Sequence, residues 1–178
     1  MKRNILVAYF SFFILHLSFV PTATAADVLT PVDYVSTLVG TESKTSLSTG
    51  TTYPAIALPW GMNFWMPQTG RMGDGWAYVY SADKIRGFKQ THQPSPWIND
   101  YGQFSIPPET GKPIFDEAER ASWFSHKAET AKPYYYKVYL ADYDVTAEIT
   151  PTERAAVMRF TYPETDEAFA VVDAFDRG

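Results

Sequence analysis

Residues 134–162, YYYKVYLADYDVTAEITPTERAAVMRFTY, decide the fold class of this chain. Apolar and polar side chains alternate along the stretch with a period of two, which is typical of strands that are buried on one face. The alternation predicts one strand over residues 134–140, a second over 145–149 and a third over 156–162. The sequence Asp-Tyr-Asp at 142–144 predicts a turn between the first two strands.

A fourth strand is predicted over residues 168–175, so successive strands recur at intervals of roughly ten residues with turn-length connections. This spacing favours antiparallel sheets arranged as a sandwich or a barrel. Toward the N-terminus, Thr30 is a helix cap, and Pro31 stands at the first helical position. Gly40 lies where that helix should end, which makes it about two turns long. The predicted fold class is all-β, antiparallel, with one short N-terminal helix.

Composition excludes several classes of function. The chain has 178 residues, of which 46% are hydrophobic and 20% charged, and this suits one domain or one domain with part of a second. It has no cysteine, which excludes a disulfide scaffold, a cysteine-ligated zinc site and a thiol nucleophile. Its three histidines argue against a histidine-rich metal site. The formal charge of −5, without a long run of one sign, argues against nucleic acid and anionic membranes as partners.

The N-terminus has the pattern of an export signal. Lys2 and Arg3 precede the apolar residues 5–20, and the small residues Ala-Thr-Ala at 23–25 follow as a cleavage pattern. The apolar run is shorter than the ~20 residues that a spanning helix needs, so an uncleaved anchor is the weaker alternative. We expect a signal peptide over residues 1–25 and a mature domain over 26–178. The expected location is the periplasm or the cell exterior.

Eight aromatic side chains lie between residues 60 and 97. In an exported protein such flat apolar rings suit the C–H faces of sugars, although burial in the core is the commoner fate of an aromatic ring. Trp76 and Trp97 stand beside Gly or Pro in loop-like sequence and are therefore the better candidates for contact with a ligand. A second pair of candidates is His126 and Glu129, whose spacing allows a catalytic dyad, although a structural hydrogen bond or ordinary solvent exposure is favoured.

The segment 89–102 concentrates polar and aromatic side chains around two prolines. Proline restricts the backbone of a loop and so preorganises the side chains next to it. Composition alone allows two roles for this segment, ligand binding or the capping of strand ends. The sequence contains no nucleophile elbow, phosphate-binding loop, dinucleotide-binding glycine pattern or H-E-x-x-H motif.

Three blocks of the sequence, taken in order, resemble glycoside hydrolase family 92. The matching segments are 34–41 and TTYPAIALPWGM at 51–62; IRGF at 85–88, TH at 91–92 and DYG at 100–102; and WFSH at 123–126, Glu129, Pro133, Tyr135, Tyr136 and EITPTER at 148–154. Thr51, Ala55 and Trp60 stand where that family usually has Asn, Gly and Phe. Residues 93–97 resemble a subgroup variant, which leaves the preferred linkage open.

The resemblance implies an exported, calcium-dependent exo-α-mannosidase, similar to α-1,2-mannosidases, that removes α-linked mannose from glycans such as N-glycans with inversion. It implies an N-terminal β-sandwich packed on a C-terminal (α/α)6 barrel, with the acid, the base and most calcium contacts in the barrel. This chain would then be the sandwich domain, incomplete and inactive on its own. No catalytic residue and no metal ligand is therefore assigned to it.

The resemblance also implies four substrate-binding residues: His92, Trp97, Asp100 and Tyr101. Trp97 would stack against a sugar, His92 and Asp100 would hydrogen-bond its hydroxyls or brace the loop, and Tyr101 would support them. Glu129, Glu148 and Arg154 match the family pattern and are expected to hold sheets or a domain interface together. The alternatives are a free-standing carbohydrate-binding sandwich without catalysis and a purely structural domain.

Overall fold

The computed structural model describes residues 29–42, 52–71, 78–91 and 104–174. Within these ranges, twelve strands form two four-stranded and two two-stranded sheets. All pairs between these strands are antiparallel, which confirms the predicted all-β class. No helix in the described ranges is long and apolar enough to cross a membrane. The predicted signal peptide lies outside the described residues.

The strands are β1 (Phe64–Gln68), β2 (Lys84–Ile85), β3 (Gly87–Thr91), β4 (Phe104–Ser105), β5 (Pro108–Thr110), β6 (Ser122–Trp123), β7 (Thr130–Lys132), β8 (Tyr135–Leu140), β9 (Val145–Pro151), β10 (Ala156–Thr161), β11 (Ala168–Ala170) and β12 (Asp173–Ala174). The four-stranded sheets have the orders β1-β3-β4-β12 and β10-β9-β8-β7, and the smaller sheets pair β11 with β5 and β2 with β6. Two short 3-10 helices span Pro31–Tyr34 and His126–Ala128.

The sheet β10-β9-β8-β7 contains the stretch that decided the fold class. β8, β9 and β10 lie where the alternation predicts them, and residues 141–144 form the turn between β8 and β9. In β8, Tyr136, Val138 and Leu140 are buried, whereas Lys137 and Tyr139 are exposed. Local periodicity is sufficient here because consecutive strands pair with each other through short turns.

The prediction of a single strand over residues 168–175 is wrong. The segment forms two short strands in different sheets, because β11 pairs with β5 and β12 pairs with β4. Between them the backbone N–H of Val171 donates to the carbonyl oxygen of Pro107 at 3.0 Å. The chain stays extended but changes the strand with which it pairs, and the local apolar pattern does not predict this change.

The predicted N-terminal helix begins at the expected residue but is shorter than two turns. The backbone N–H and the hydroxyl of Thr30 both donate to Oδ2 of Asp33 at 2.8 Å. The 3-10 helix Pro31–Tyr34 then ends because Val35 has extended backbone angles, φ −78° and ψ 122°. Gly40 has φ +82° in a following turn, so the residue that was expected to stop the helix does adopt the left-handed conformation.

The main core lies between the two four-stranded sheets. Phe88 of β3 packs against Tyr136 and Phe160 of the other sheet, with ring centroids 6.2 and 6.3 Å apart. The buried members of this cluster are Ile56, Trp65, Ile85, Phe88, Tyr136, Val138, Leu140, Ala147 and Ile149. A second cluster, Tyr53, Met66 and Tyr78, forms on the opposite face of β1, since successive side chains of a strand point to opposite faces.

Candidate functional site

Four strand ends of the sheet β1-β3-β4-β12 meet at one end of the sandwich. Phe64, the first residue of β1, lies opposite Thr91, the last residue of β3. Phe104, the first residue of β4, lies opposite Ala174, the last residue of β12. Because β3 and β4 are also paired antiparallel, all four residues lie at the same end. We call this end, defined by Phe64, Thr91, Phe104 and Ala174, the loop end.

The predicted substrate-binding residues lie outside the described residues: His92, Trp97, Asp100 and Tyr101. Their roles therefore stay predictions. The described residues that precede and follow this stretch, Thr91 and Phe104, both belong to the loop end. Trp76, the other tryptophan predicted to contact a ligand, also lies outside the described ranges.

Trp65 is a core residue at the loop end, and two contacts fix its ring. Its Nε1–H donates to Oδ1 of Asn63 at 2.6 Å, and Phe104 packs edge-on against it with ring centroids 5.9 Å apart. Asn63 is buried, and its Nδ2 has no hydrogen-bond partner within the described ranges. An unpaired buried donor is costly, so Asn63 is a functional candidate that the sequence did not suggest.

Buried polar side chains also line up on one face of the same sheet. Lys89 is 2% exposed, Thr91 is 3% exposed and Ser105 is fully buried. Lys89 lies opposite Met66 and Ser105 in the strand register. These buried polar side chains are therefore on the face of the sheet that carries the second core cluster. Polar burial is expensive, and its concentration next to one strand end is more typical of functional sites than of an ordinary core.

The aromatic residues between 60 and 97 divide into buried and exposed sets. Trp65, Tyr78 and Phe88 are buried, as expected for core residues. Tyr80 is 41% exposed, and Trp60 is 100% exposed. Aromatic composition does not distinguish Trp60 from the buried rings. Its position between a proline and a glycine, however, is a turn signal that predicts exposure.

His126 and Glu129 form the hydrogen-bonded pair that their spacing suggested. Nδ1 of His126 lies 2.5 Å from Oε2 of Glu129, and Nε2 lies 2.6 Å from the carbonyl oxygen of Tyr80. A carbonyl oxygen only accepts, so Nε2 carries a hydrogen, and Nδ1 is hydrogen-bonded to the carboxyl group. The His126 ring also stacks on the Tyr80 ring, with centroids 4.0 Å apart.

Glu129 is a structural anchor rather than an exposed acid. Its side chain is 1% exposed, and its Oε1 accepts from the Tyr136 hydroxyl at 2.6 Å and from the Tyr78 hydroxyl at 3.4 Å. Burial, followed by the nearby Glu129 carboxylate, raises the pKa of both tyrosines above their ordinary value, so both stay neutral donors. Of the two outcomes favoured from the sequence, a structural hydrogen bond and solvent exposure, the structure shows the hydrogen bond.

Glu148 has a similar role on the outer face of the sheet β10-β9-β8-β7. Arg159 donates to both of its carboxylate oxygens, at 2.6 and 2.7 Å, and the Tyr135 hydroxyl donates at 2.5 Å. These contacts lower the pKa of Glu148 from 4.5 to about 2. The carboxylate therefore ties β8, β9 and β10 together. Arg154, by contrast, lies exposed in the turn between β9 and β10.

The described residues do not provide a ligand set for a metal ion. Within these ranges, no three side chains of the His, Cys, Asp or Glu type lie close enough together to hold one. Calcium prefers six to eight oxygen ligands, and the carboxylates of Glu129 and Glu148 are already hydrogen-bonded to neighbouring side chains.

Comparison with known proteins identifies the family that the sequence resembled. The family model described as "Glycosyl hydrolase family 92 N-terminal domain" matches residues 34–178. No curated protein matches the chain.

Solved structures give the same assignment. The chain is 51% identical to the family GH92 inverting mannosidase BT2199 from Bacteroides thetaiotaomicron, with a TM-score of 0.74, over 79% of this chain and 19% of that one. It is 35% identical to the family GH92 α-mannosidase BT3965 from the same organism, with a TM-score of 0.74, over 84% of this chain and 21% of that one. The chain thus spans about one-fifth of the length of these two proteins.

Proposed function

Because the chain belongs to glycosyl hydrolase family 92, in the N-terminal domain of that family, we propose that it is the β-sandwich domain of an exported exo-α-mannosidase. The whole protein would remove α-linked mannose from glycans, including N-glycans, with inversion of configuration. A solved relative that is 51% identical is itself described as an inverting mannosidase.

One structural observation carries the proposed role of this domain. Thr91 and Phe104, which bracket the residues predicted to bind substrate, lie together at the loop end. A loop that starts and ends on paired neighbouring strands is held at both of its attachment points by a rigid sheet. We propose that the loop end forms one wall of the active-site cleft, against a C-terminal (α/α)6 domain of the whole protein.

Four residues would provide this wall. Trp97 would stack on the apolar face of a mannose ring, and His92 and Asp100 would hydrogen-bond its hydroxyl groups or brace the loop. Tyr101 would support them from behind. A rigid aromatic platform with a few polar groups is the usual composition of a site for a small ligand, and clefts between domains are common places for one.

The chemistry of the described carboxyl groups supports placing the acid and base in the other domain. An inverting glycosidase needs two carboxyl groups roughly 6.5–9.5 Å apart, one of them with a raised pKa. Glu148 has the opposite shift, and the Glu129 carboxyl group makes three side-chain hydrogen bonds. Burial raises the pKa of Glu109, but this side chain is fully enclosed and accepts the backbone N–H of Ile114 at 2.5 Å.

Calcium dependence and export are further parts of the proposal. As the resemblance to family 92 implies, calcium would be held mainly by the C-terminal domain. Residues 1–25 would be a signal peptide that directs the mature domain, from residue 26 onward, to the periplasm or the cell exterior. The 178-residue chain alone would be inactive.

The proposal is tested by comparing the longest polypeptide that the gene encodes with the 178-residue chain. We expect the longer protein to release mannose from an α-mannoside, to lose this activity in a calcium chelator and to regain it with added calcium. Proton NMR of the first product should show the inverted anomer. Mannoside binding by the 178-residue chain, combined with no mannose release by any longer product, would instead support a free-standing carbohydrate-binding module.

A further inference from the structure

Trp60 is an apolar side chain that the described fold holds completely in solvent. It is 100% exposed, and it occupies the third position of a turn closed by a hydrogen bond from the Gly61 N–H to the Leu58 carbonyl oxygen at 3.0 Å. Its φ is +62°, a backbone conformation that favours glycine. A large ring in a strained and exposed position gains nothing from the packing of this domain, and such strain is typical of functional positions.

Both sides of this turn are attached to the sheet β10-β9-β8-β7. The backbone N–H of Ala57 donates to the carbonyl oxygen of Pro133 at 2.9 Å, and that of Met62 donates to the carbonyl oxygen of Glu153 at 2.7 Å. Pro133 lies in the turn between β7 and β8, and Glu153 lies in the turn between β9 and β10. The backbone that carries the Trp60 ring is therefore fixed on both sides of the turn. Little backbone entropy would be lost when a partner buries the ring.

Other exposed apolar side chains lie at the same end of the sandwich. Met62 is 66% exposed, Tyr134 is 42% exposed and Tyr34 is 75% exposed. Tyr134 follows Pro133 in the chain and donates to Oδ1 of Asp33, which places the residues next to Tyr34 beside this turn. We call these four side chains, Tyr34, Trp60, Met62 and Tyr134, the Trp60 surface.

The polar groups beside the Trp60 surface are already paired with one another. Asp33 accepts two hydrogen bonds from Thr30 and one from Tyr134, and its carbonyl oxygen accepts from Nζ of Lys132 at 2.6 Å. A glycan needs free donors and acceptors for its hydroxyl groups, whereas a protein partner needs apolar anchors. The surface therefore fits a protein better than a sugar.

The position of the Trp60 surface indicates which protein would cover it. Met62 is two residues from Phe64, so the surface adjoins the loop end, where β12 also ends at Ala174. The solved relatives have about four-fifths of their chains outside the part that matches this one. We propose that the Trp60 surface docks the C-terminal region of the whole family 92 protein, with Trp60 as the buried anchor. This inference rests on the proposed two-domain function.

Residue-resolved hydroxyl-radical footprinting tests the inference, with the longest polypeptide of the gene compared with the 178-residue chain. Oxidation of Trp60 should fall about tenfold in the longer protein, because an anchor at the centre of an interface is fully desolvated. Trp123 is the matched control, since it is 48% exposed and its backbone N–H donates to Oδ2 of Asp142, in the turn at the opposite end of β8. Its oxidation should not change.

The outcomes separate this inference from the proposed function. Equal oxidation of Trp60 in an active longer mannosidase would overturn the docking and leave the function standing. Protection of Trp60 in a longer product without mannosidase activity would support the docking and contradict the function. Concentration-dependent protection within the 178-residue chain alone would show that a second copy covers the surface, and a gene that ends at codon 178 would leave no C-terminal region. Either result overturns the inference.

Discussion

Nδ1 of His126 lies 2.5 Å from Oε2 of Glu129, and the same carboxyl group accepts the Tyr136 hydroxyl at 2.6 Å. The buried Glu129 side chain therefore joins the 3-10 helix His126–Ala128 to the beginning of β8. Because His126 also contacts the carbonyl oxygen of Tyr80, one carboxyl group holds three separate segments of the chain in place. This network stabilises the domain and gives the Glu129 carboxyl group a structural role.

Replacing Glu129 with glutamine should destabilise the domain by about 1–3 kcal/mol. A glutamine side chain has only one acceptor oxygen, so its NH2 group would face a neighbouring group that needs an acceptor. Denaturant unfolding of the described domain measures the loss. Glu153→Gln is the matched control, since Glu153 is exposed and contributes its backbone carbonyl oxygen, which the substitution retains. An unfolding midpoint that is equal in the two variants would contradict the anchoring role of Glu129.

Acid should weaken the contact between Glu148 and Arg159. The bidentate Arg159 contact and the Tyr135 hydroxyl lower the pKa of Glu148 from 4.5 to about 2. Since the folded pKa lies below that of the unfolded chain, the stabilisation is fully present above the unfolded pKa and is lost as the pH falls through the folded value. The free energy of unfolding should decline from about pH 5 toward about pH 2, partly because of this residue.

The Glu148→Gln variant isolates that contribution. Its free energy of unfolding should depend less steeply on pH below about pH 5 than that of the unmodified chain. The control is Glu153→Gln, whose side chain is exposed and should leave the slope unchanged. Parallel curves for the unmodified chain and Glu148→Gln would show that the Arg159 contact does not stabilise the fold.

Gly87 should not tolerate a side chain. Its φ is +151°, and a Cβ at this position would collide with Oγ of Ser105 and approach the backbone nitrogen of Pro107 at 3.2 Å. Gly87→Ala should therefore cost about 1–3 kcal/mol through overpacking. Gly111→Ala is the control, because Gly111 also has a positive φ of +84° but open space around it. Equal melting temperatures for the two variants would refute the close approach of Ser105.

Two nearby tryptophans should respond differently to truncation. Trp65 is 7% exposed in the main core, so Trp65→Ala should cost about 3–5 kcal/mol. Trp60 is fully exposed, so Trp60→Ala should change the stability of the 178-residue chain by no more than about 0.5 kcal/mol. Denaturant unfolding of both variants measures the difference. A large loss for Trp60→Ala would mean that this ring is part of the domain core.

The sequence was sufficient for the parts of the fold that depend on local pattern. β8, β9 and β10 were predictable because each strand alternates and pairs with the next one through a short turn. The split of residues 168–175 was not predictable, because β11 and β12 pair with strands about 60 to 70 residues earlier in the chain. The early end of the N-terminal helix depends on the extended backbone of Val35, which no residue preference indicated.

For the candidate site, the sequence identified chemistry but not position. The pairing of His126 with Glu129 followed from their spacing, whereas the two tyrosines that complete the cluster come from distant segments. Burial of Lys89 and Asn63 depends on how sheets and loops cover β1 and β3, and neither a charged nor an amide residue is expected there from composition. The loop end itself is a property of strand pairing over long separations.

We propose that the segment between Thr91 and Phe104 forms part of a mannoside-binding wall. The most direct test is kcat/KM for α-mannoside hydrolysis by the longest polypeptide of the gene, measured for Trp97→Ala and for the control Trp123→Ala. We expect a loss of about tenfold or more for Trp97→Ala, because a stacking platform is removed from the transition state, and wild-type kcat/KM for the control. Wild-type kcat/KM in both variants would show that this segment is not part of the wall.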